Sequence, residues 1–155
     1  MIALNQPAPP FRLQNQAGQW LQLADFQGRK NLVLYFYPKD DTPGCTLEAQ
    51  QFTQLAGEFA ALDTVVLGIS KDSCASHQAF IDKYQLQVEL LADSDGQVCE
   101  AYDVWREKEK DGVKKMAILR STFIIDKQGV LTYSEHNVNP EGHAQAILAR
   151  LSADA

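Results

Sequence analysis

The chain has few cysteines, three in all at Cys45, Cys74 and Cys99, and it lacks a C-x-x-C pair. Three thiols cannot build a disulfide framework without a remainder, so cysteine chemistry here points to redox or nucleophilic work rather than architecture or zinc. Positive charge is also in deficit: 14 Lys and Arg against 20 Asp and Glu give a net charge of -6. This balance argues against nucleic acid or an anionic membrane as the main partner, since both demand clustered basic residues. No apolar run approaches the ~20 residues that span a bilayer. The start, Met1 to Pro7, has neither the basic nor the apolar region of a signal peptide, and no Arg-rich transit segment is present, so the cytoplasm is expected. Repeats, low-complexity tracts and linkers are missing as well. With 45% hydrophobic and 22% charged residues, positions 1–155 read as a single globular domain.

What the chain does hold is the stretch Tyr37-Pro38-Lys39-Asp40-Asp41-Thr42-Pro43-Gly44-Cys45-Thr46-Leu47-Glu48. It joins the apolar run Leu32–Tyr37 to a segment of helical spacing and delivers one cysteine at the junction. Thr42 suits a helix cap and Pro43 the first helical position, where a missing N–H is no loss. Cys45 then falls in the first turn, where free N–H groups and the helix dipole favour a thiolate. Gly44 permits close approach to the backbone.

In chain order, Phe11–Leu13 and Trp20–Leu23 alternate around Asn15–Gly18, which predicts an N-terminal β-hairpin. Residues 32–37 and 65–69 form buried strands joined by a helix in a right-handed βαβ unit. That helix turns Phe52, Leu55, Ala56 and Phe59 to one face and Glu48, Gln51, Gln54 and Glu58 mostly away. Asp72 or Ser73 caps a helix reaching Tyr84, with Phe80, Ile81 and Tyr84 inward. A strand at 89–92 and a helix at 97–102 follow. Arg106–Lys115 reads as an exposed loop or hairpin tip around Asp111-Gly112, without a site. Residues 122–125 and 130–133 pair as a hairpin, and Asn139-Pro140 opens the last helix. The pattern predicts an α/β fold of thioredoxin-like arrangement, a central mixed β-sheet flanked by helices with the N-terminal hairpin as an extension. Cys45 lies at the carboxyl end of a central strand, where such sheets bind ligands.

Pro38-x-x-x-Thr42-x-x-Cys45 resembles the active-site motif of the peroxiredoxins. The longer string from Phe36 to Ala49, with Phe52, Gly68-Ile69-Ser70, Ser76-His77, Leu91-Ala92-Asp93 and Arg120 to Asp126, resembles the bacterioferritin comigratory protein, or peroxiredoxin Q, subgroup. The resemblance implies reduction of hydrogen peroxide and organic hydroperoxides, with Cys45 as nucleophile, Thr42 as the hydroxyl that bonds the peroxide, Arg120 as the cation beside the sulfur and Pro38 as a shield from water. Glu48 would orient the arginine. It further implies no metal and no organic cofactor, thioredoxin or a small thiol as reductant, and a monomer. The competing readings are a thiol–disulfide oxidoreductase, which the missing C-x-x-C opposes, and a non-catalytic thioredoxin-like redox sensor or client-binding module.

Ionisation explains little of the rate such chemistry needs. A thiol of pKa ~8.5 is about 3% ionised at pH 7, so full ionisation contributes at most about 30-fold, and the weaker nucleophile returns roughly tenfold of that. The neighbours of Cys45 have to supply the remainder. The two positions where the subgroup carries its resolving cysteine hold Gln50 and Ile81. Recycling is therefore open between a one-cysteine route through an external thiol, Cys74, and Cys99, the last read as a buried filler. Cys74 and His77 could form half a metal site, but no second ligand pair accompanies them. His136 and His143 lie isolated on polar stretches, and all three histidines read as solvated or capping residues.

Overall fold

The computed structural model describes residues 2–154. Met1 and Ala155, the outermost positions of the single-domain reading, lie outside the described residues. The N-terminal hairpin pairs β1 (Arg12–Asn15) with β2 (Trp20–Gln22), and Asn15 Oδ1 accepts from the Ala17 and Gln19 N–H groups to close its turn. Then come β3 (Asn31–Phe36), α1 (Pro43–Gln54), α2 (Ala56–Ala61), β4 (Thr64–Ser70), α3 (Cys74–Tyr84), β5 (Glu89–Ala92) and α4 (Gln97–Ala101). The chain ends with β6 (Trp105–Lys110), β7 (Val113–Ile118), β8 (Ser121–Ile125), β9 (Leu131–His136) and α5 (His143–Asp154).

Seven strands make one mixed sheet in the order β2-β1-β5-β4-β3-β8-β9. β3, β4 and β5 run parallel, while β1 and β8 flank them antiparallel. Both crossovers, β3 to β4 and β4 to β5, step in the same direction across the sheet. Right-handed connection therefore places α1, α2 and α3 on one face. Strand alternation does the rest: Val33, Tyr35 and Tyr37 meet Phe52, Phe59, Phe80, Ile147 and Leu148 on that face, whereas Leu32, Leu34 and Phe36 meet Val98, Tyr102 and Phe11 on the other. Helices thus cover both faces, and β3 is buried along its whole apolar run, as its composition demands.

The connection after Cys45 is not one helix: α1 stops at Gln54, and Leu55 at φ -101, ψ 7 starts α2. Ser73, not Asp72, caps α3 by accepting from the Ser76 N–H. The charged stretch 106–115 is ordered into the ribbon β6–β7, whose two-residue turn Asp111-Gly112 takes positive φ at both positions, the geometry that matches strand twist. α5 opens at His143, later than the proline signal, because Gly142 at φ +75 still belongs to a turn in which Asn139 Oδ1 accepts from the Glu141 N–H. Gly68 has a packing reason: a Cβ there would lie 2.7 Å from Tyr35 Cζ and 2.8 Å from Leu90 Cδ2. Among the described residues no helix is long and apolar enough to cross a membrane.

Candidate active site

Cys45, Glu48, Ala49 and Phe52 are the buried residues of α1, and their spacing of three, four and seven places them on one stripe facing the sheet. The stripe corrects the outward placement of Glu48, which is fully buried. Two polar groups on an apolar stripe need a partner, and Arg120 provides it. Its Nη1 donates to Glu48 Oε1 at 2.7 Å and its Nη2 to Cys45 Sγ at 3.2 Å. The guanidinium is itself mostly covered, its side chain 14% exposed. Arg120 stands immediately before β8, and the β3–β8 register, with Phe36 opposite Ser121, carries it to the end of β3 where α1 begins.

Cys45 is 1% exposed and lies in the first turn of α1. The first helical bond there runs from the Thr46 N–H to the Thr42 carbonyl, which leaves the Gly44 and Cys45 N–H groups outside the helix ladder. Thr42 is the residue at the cap, but its hydroxyl makes no cap bond; it donates instead to the Lys39 carbonyl at 2.8 Å. That leaves the Oγ1 lone pairs as acceptors. Gly44 lies under the arginine, for a Cβ there would stand 3.2 Å from Arg120 Nη2 and 3.5 Å from Pro140 Cγ. Pro38 follows the last buried residue of the β3 run and is half-buried.

Burial pushes the Glu48 carboxyl up to about 7, although Arg120 pulls it down, because Oε2 is buried without any hydrogen-bond partner. Burial also works against the charge of Arg120, yet Glu48 and Cys45 hold it above its ordinary value. Sequence reasoning missed a second cation. Lys108 of β6 donates from Nζ to the Ile118 carbonyl at 2.8 Å and is half-buried between exposed neighbours on its strand. Its ammonium is lowered by burial and by Arg120, and raised by Cys45. One lysine in a run of charges gives no local signal of this.

The remaining thiols do not join the site. Cys99 is fully buried on α4, and burial, with Asp93 beside it, pushes its thiol up. Cys74 lines a shallow cavity with Leu13, Gln14 and Ala92, above β1 and β5. Cys45 packs in a different group, with Val33 and Tyr35 of β3 and Ile124 of β8, and all three thiols are free. The histidines correct the reading of solvated residues. His143 is buried and meets Thr122 Oγ1 at 2.8 Å, His136 meets Ser121 Oγ at 3.0 Å, and His77 is fully buried.

The sheet order, with a lone thiol under an arginine where a central strand ends, defines a thioredoxin-like thiol peroxidase. Residues 4–134 match the AhpC/TSA family, and the chain belongs to that family, within its bacterioferritin comigratory protein or peroxiredoxin Q group. Peroxiredoxin Bcp of Bacillus subtilis is 43% identical over 150 residues, covering 97% of this chain and 95% of that protein. A Xanthomonas campestris bacterioferritin comigratory protein, studied for alkyl peroxide reduction, superposes with a TM-score of 0.88 at 38% identity, covering 93% of this chain and 91% of its own. PrxQ of Xylella fastidiosa superposes with a TM-score of 0.90 at 34% identity and 99% coverage of both chains. The protein is a thiol-dependent peroxidase, with a peroxide as substrate and a thiol as reductant.

Proposed function

We propose that Cys45 is the attacking sulfur and that Thr42, Arg120 and Pro38 form its pocket, for hydrogen peroxide and small organic hydroperoxides. The observation that carries this reading is the 3.2 Å contact of Arg120 Nη2 with Cys45 Sγ at the start of α1. The Cys45 thiolate attacks one peroxide oxygen, the O–O bond breaks, and the departing oxygen takes a proton to leave as water or an alcohol. Sulfur supplies the electron pair and is left as the sulfenic acid. Thr42 Oγ1 accepts from the peroxide O–H, while Arg120 and the Gly44 and Cys45 N–H groups face the oxygens on which charge develops. In-line alignment and that charge stabilisation provide most of the acceleration. Pro38 keeps water from the oxidised sulfur. The alkyl peroxide reduction of the Xanthomonas relative supports organic hydroperoxides as substrates.

The cycle closes through one cysteine. A disulfide requires Cα atoms within about 7 Å, and the support for a single thiol is that Cys74 lines a separate cavity with Leu13, Gln14 and Ala92, outside the side chains grouped around Cys45. An external thiol therefore attacks the sulfenic acid, expelling water, and a second thiol releases Cys45 and a disulfide. Thioredoxin or a small thiol fills that role, for a monomer of a single domain in the cytoplasm.

Intact mass after one equivalent of peroxide tests both halves. One added oxygen, trapped by a sulfenic-acid reagent and lost in Cys45→Ser, is expected. Loss of two hydrogens would assign an internal disulfide instead, and unchanged peroxide consumption by Cys45→Ser would remove Cys45 from the chemistry.

A further inference from the structure

The ribbon β6–β7 forms a sheet of its own beside the seven-stranded one. Its register sets Lys108 opposite Lys115, Glu109 opposite Lys114 and Trp105 opposite Ile118. Directly opposite residues share a face and successive residues alternate, so the run Arg106-Glu107-Lys108-Glu109-Lys110 sorts its charges by sign. One face carries Arg106, Lys108, Lys110 and Lys115 with Val113 and Ala117. The other carries Glu107, Glu109 and Lys114 with Trp105, Met116 and Ile118.

The acid-bearing face is anchored at its base. Trp105 and Ile118 pack into the core group built on Leu32, Leu34 and Phe36, and Lys71 Nζ lies 4.1 Å above the Trp105 ring. On the cationic face Lys110, Val113 and Lys115 are exposed. Arg106 is matched there by Asp103 Oδ2 at 3.0 Å, whereas among the described residues no carboxylate pairs with Lys108, Lys110 or Lys115. Like charges directly across a ribbon destabilise it, and Lys108 and Lys115 stand in that arrangement. Lysines of either face would blunt an exposed strand edge, so edge protection does not require the signs to be sorted. A cationic face on a chain of net charge -6 suits an anionic protein surface.

This face begins beside the reactive sulfur. β7 ends at Ile118, two residues before Arg120, so their Cα atoms lie at most about 7 Å apart. Arg120 Nη2 in turn stands 3.2 Å from Cys45 Sγ. Lys108 reaches the same end of β7 through its bond to the Ile118 carbonyl. Its ammonium, lowered by burial and by Arg120 and raised by Cys45, lies within the field of that sulfur.

Resting on an external thiol as the reductant of oxidised Cys45, we propose that the cationic face of the β6–β7 ribbon docks a protein thiol of the thioredoxin class whose surface around its reactive sulfur is acidic. The docked thiolate attacks the Cys45 sulfur, and the hydroxyl leaves and takes up a proton as water. The reductant's second thiol then displaces Cys45 and leaves as a disulfide. Lys110 and Lys115 steer this encounter alone, because hydrogen peroxide is uncharged. A second copy of the chain fits the face poorly, since a two-fold contact between ribbons sets cation against cation.

Sulfenic Cys45 is prepared with one equivalent of peroxide. Its reduction is followed at low ionic strength by a thioredoxin of net negative charge and, separately, by dithiothreitol. Lys114 and Lys115 are sequence neighbours on opposite faces, so reversing either changes the net charge equally. Lys115→Glu is expected to slow reduction by thioredoxin about tenfold and Lys114→Glu by less than twofold, with the dithiothreitol and peroxide steps at wild-type rates in both. Added salt should bring the wild-type thioredoxin rate down to that of Lys115→Glu. Equal responses of the two variants, or a drop shared with dithiothreitol, overturn the docking face. So does wild-type sulfenic acid that dithiothreitol reduces and thioredoxin does not. A salt-sensitive dimer in sedimentation that Lys115→Glu abolishes overturns it too, giving the face to a second copy. Wild-type protein that yields no sulfenic acid at Cys45 overturns the external-thiol cycle itself, and the docking face with it.

Discussion

Arg120 reaches Cys45 from 75 positions along the chain, with Nη2 3.2 Å from Sγ while Nη1 stays on Glu48 at 2.7 Å. The fork matters as much as the charge, because one planar group serves both partners. Arg120→Lys keeps a cation but cannot span them. Its peroxide rate constant is expected to fall about 100-fold, the typical cost of losing an oriented donor at a developing charge. Competition kinetics against a second peroxidase would measure it, and a rate within threefold of wild type would refute the fork.

Glu48 makes stability depend on pH. Its folded value of about 7 lies above the ordinary 4.5. The folded state therefore binds the proton more tightly, and the contribution is fully present below about 4.5 and lost as pH rises through about 7. Unfolding free energy, taken as wild type minus Glu48→Gln, should decline across that window by a few kcal/mol, of the order that such a shift implies. Denaturant titrations at pH 5 and pH 8 check the sign; a difference that grows with pH contradicts it.

Thr42 separates a catalytic hydroxyl from a helix cap. Since Oγ1 bonds the Lys39 carbonyl and not the helix, Thr42→Val should cost about 1 kcal/mol of stability at most. Its peroxide rate should fall about 100-fold, with Thr42→Ser close to wild type. Loss of helix content together with rate would return Thr42 to a structural role.

Gly68 is the room that Tyr35 occupies. A methyl group there meets the ring at 2.7 Å, so Gly68→Ala should destabilise by about 1–3 kcal/mol, the usual cost of overpacking. Tyr35→Phe should recover little of it, since Leu90 stands equally close. Thermal melts of the single and double variants decide this.

Local features were legible in the sequence. The apolar run of β3, the Pro43-Gly44 helix start and the Asp111-Gly112 turn each encode their geometry within a few residues, and Cys45 came with them. Glu48 was legible in principle, three residues after Cys45 on the same stripe. Anchoring the helix face on Phe52 and Leu55 turned it outward, because the pattern was read as one helix through the break at Leu55. Arg120 was reached only through resemblance. Its partners are set by the β3–β8 register, which no spacing within β8 reveals. The Asp40–His77 contact and the place of Lys108 are of the same kind, since each joins elements whose meeting depends on the finished sheet.

In the proposed one-cysteine cycle, Cys74 sits in its own cavity outside the group of side chains around Cys45, and the oxidised protein has a clock set from outside. In a one-thiol cycle nothing within the chain can end the sulfenic state, so its lifetime is fixed by how often a second molecule arrives. At steady state, the fraction of chains carrying oxygen on sulfur then records the ratio of two encounter rates, peroxide against thiol. A population of such molecules measures the balance between oxidant and reductant while it is consuming the oxidant.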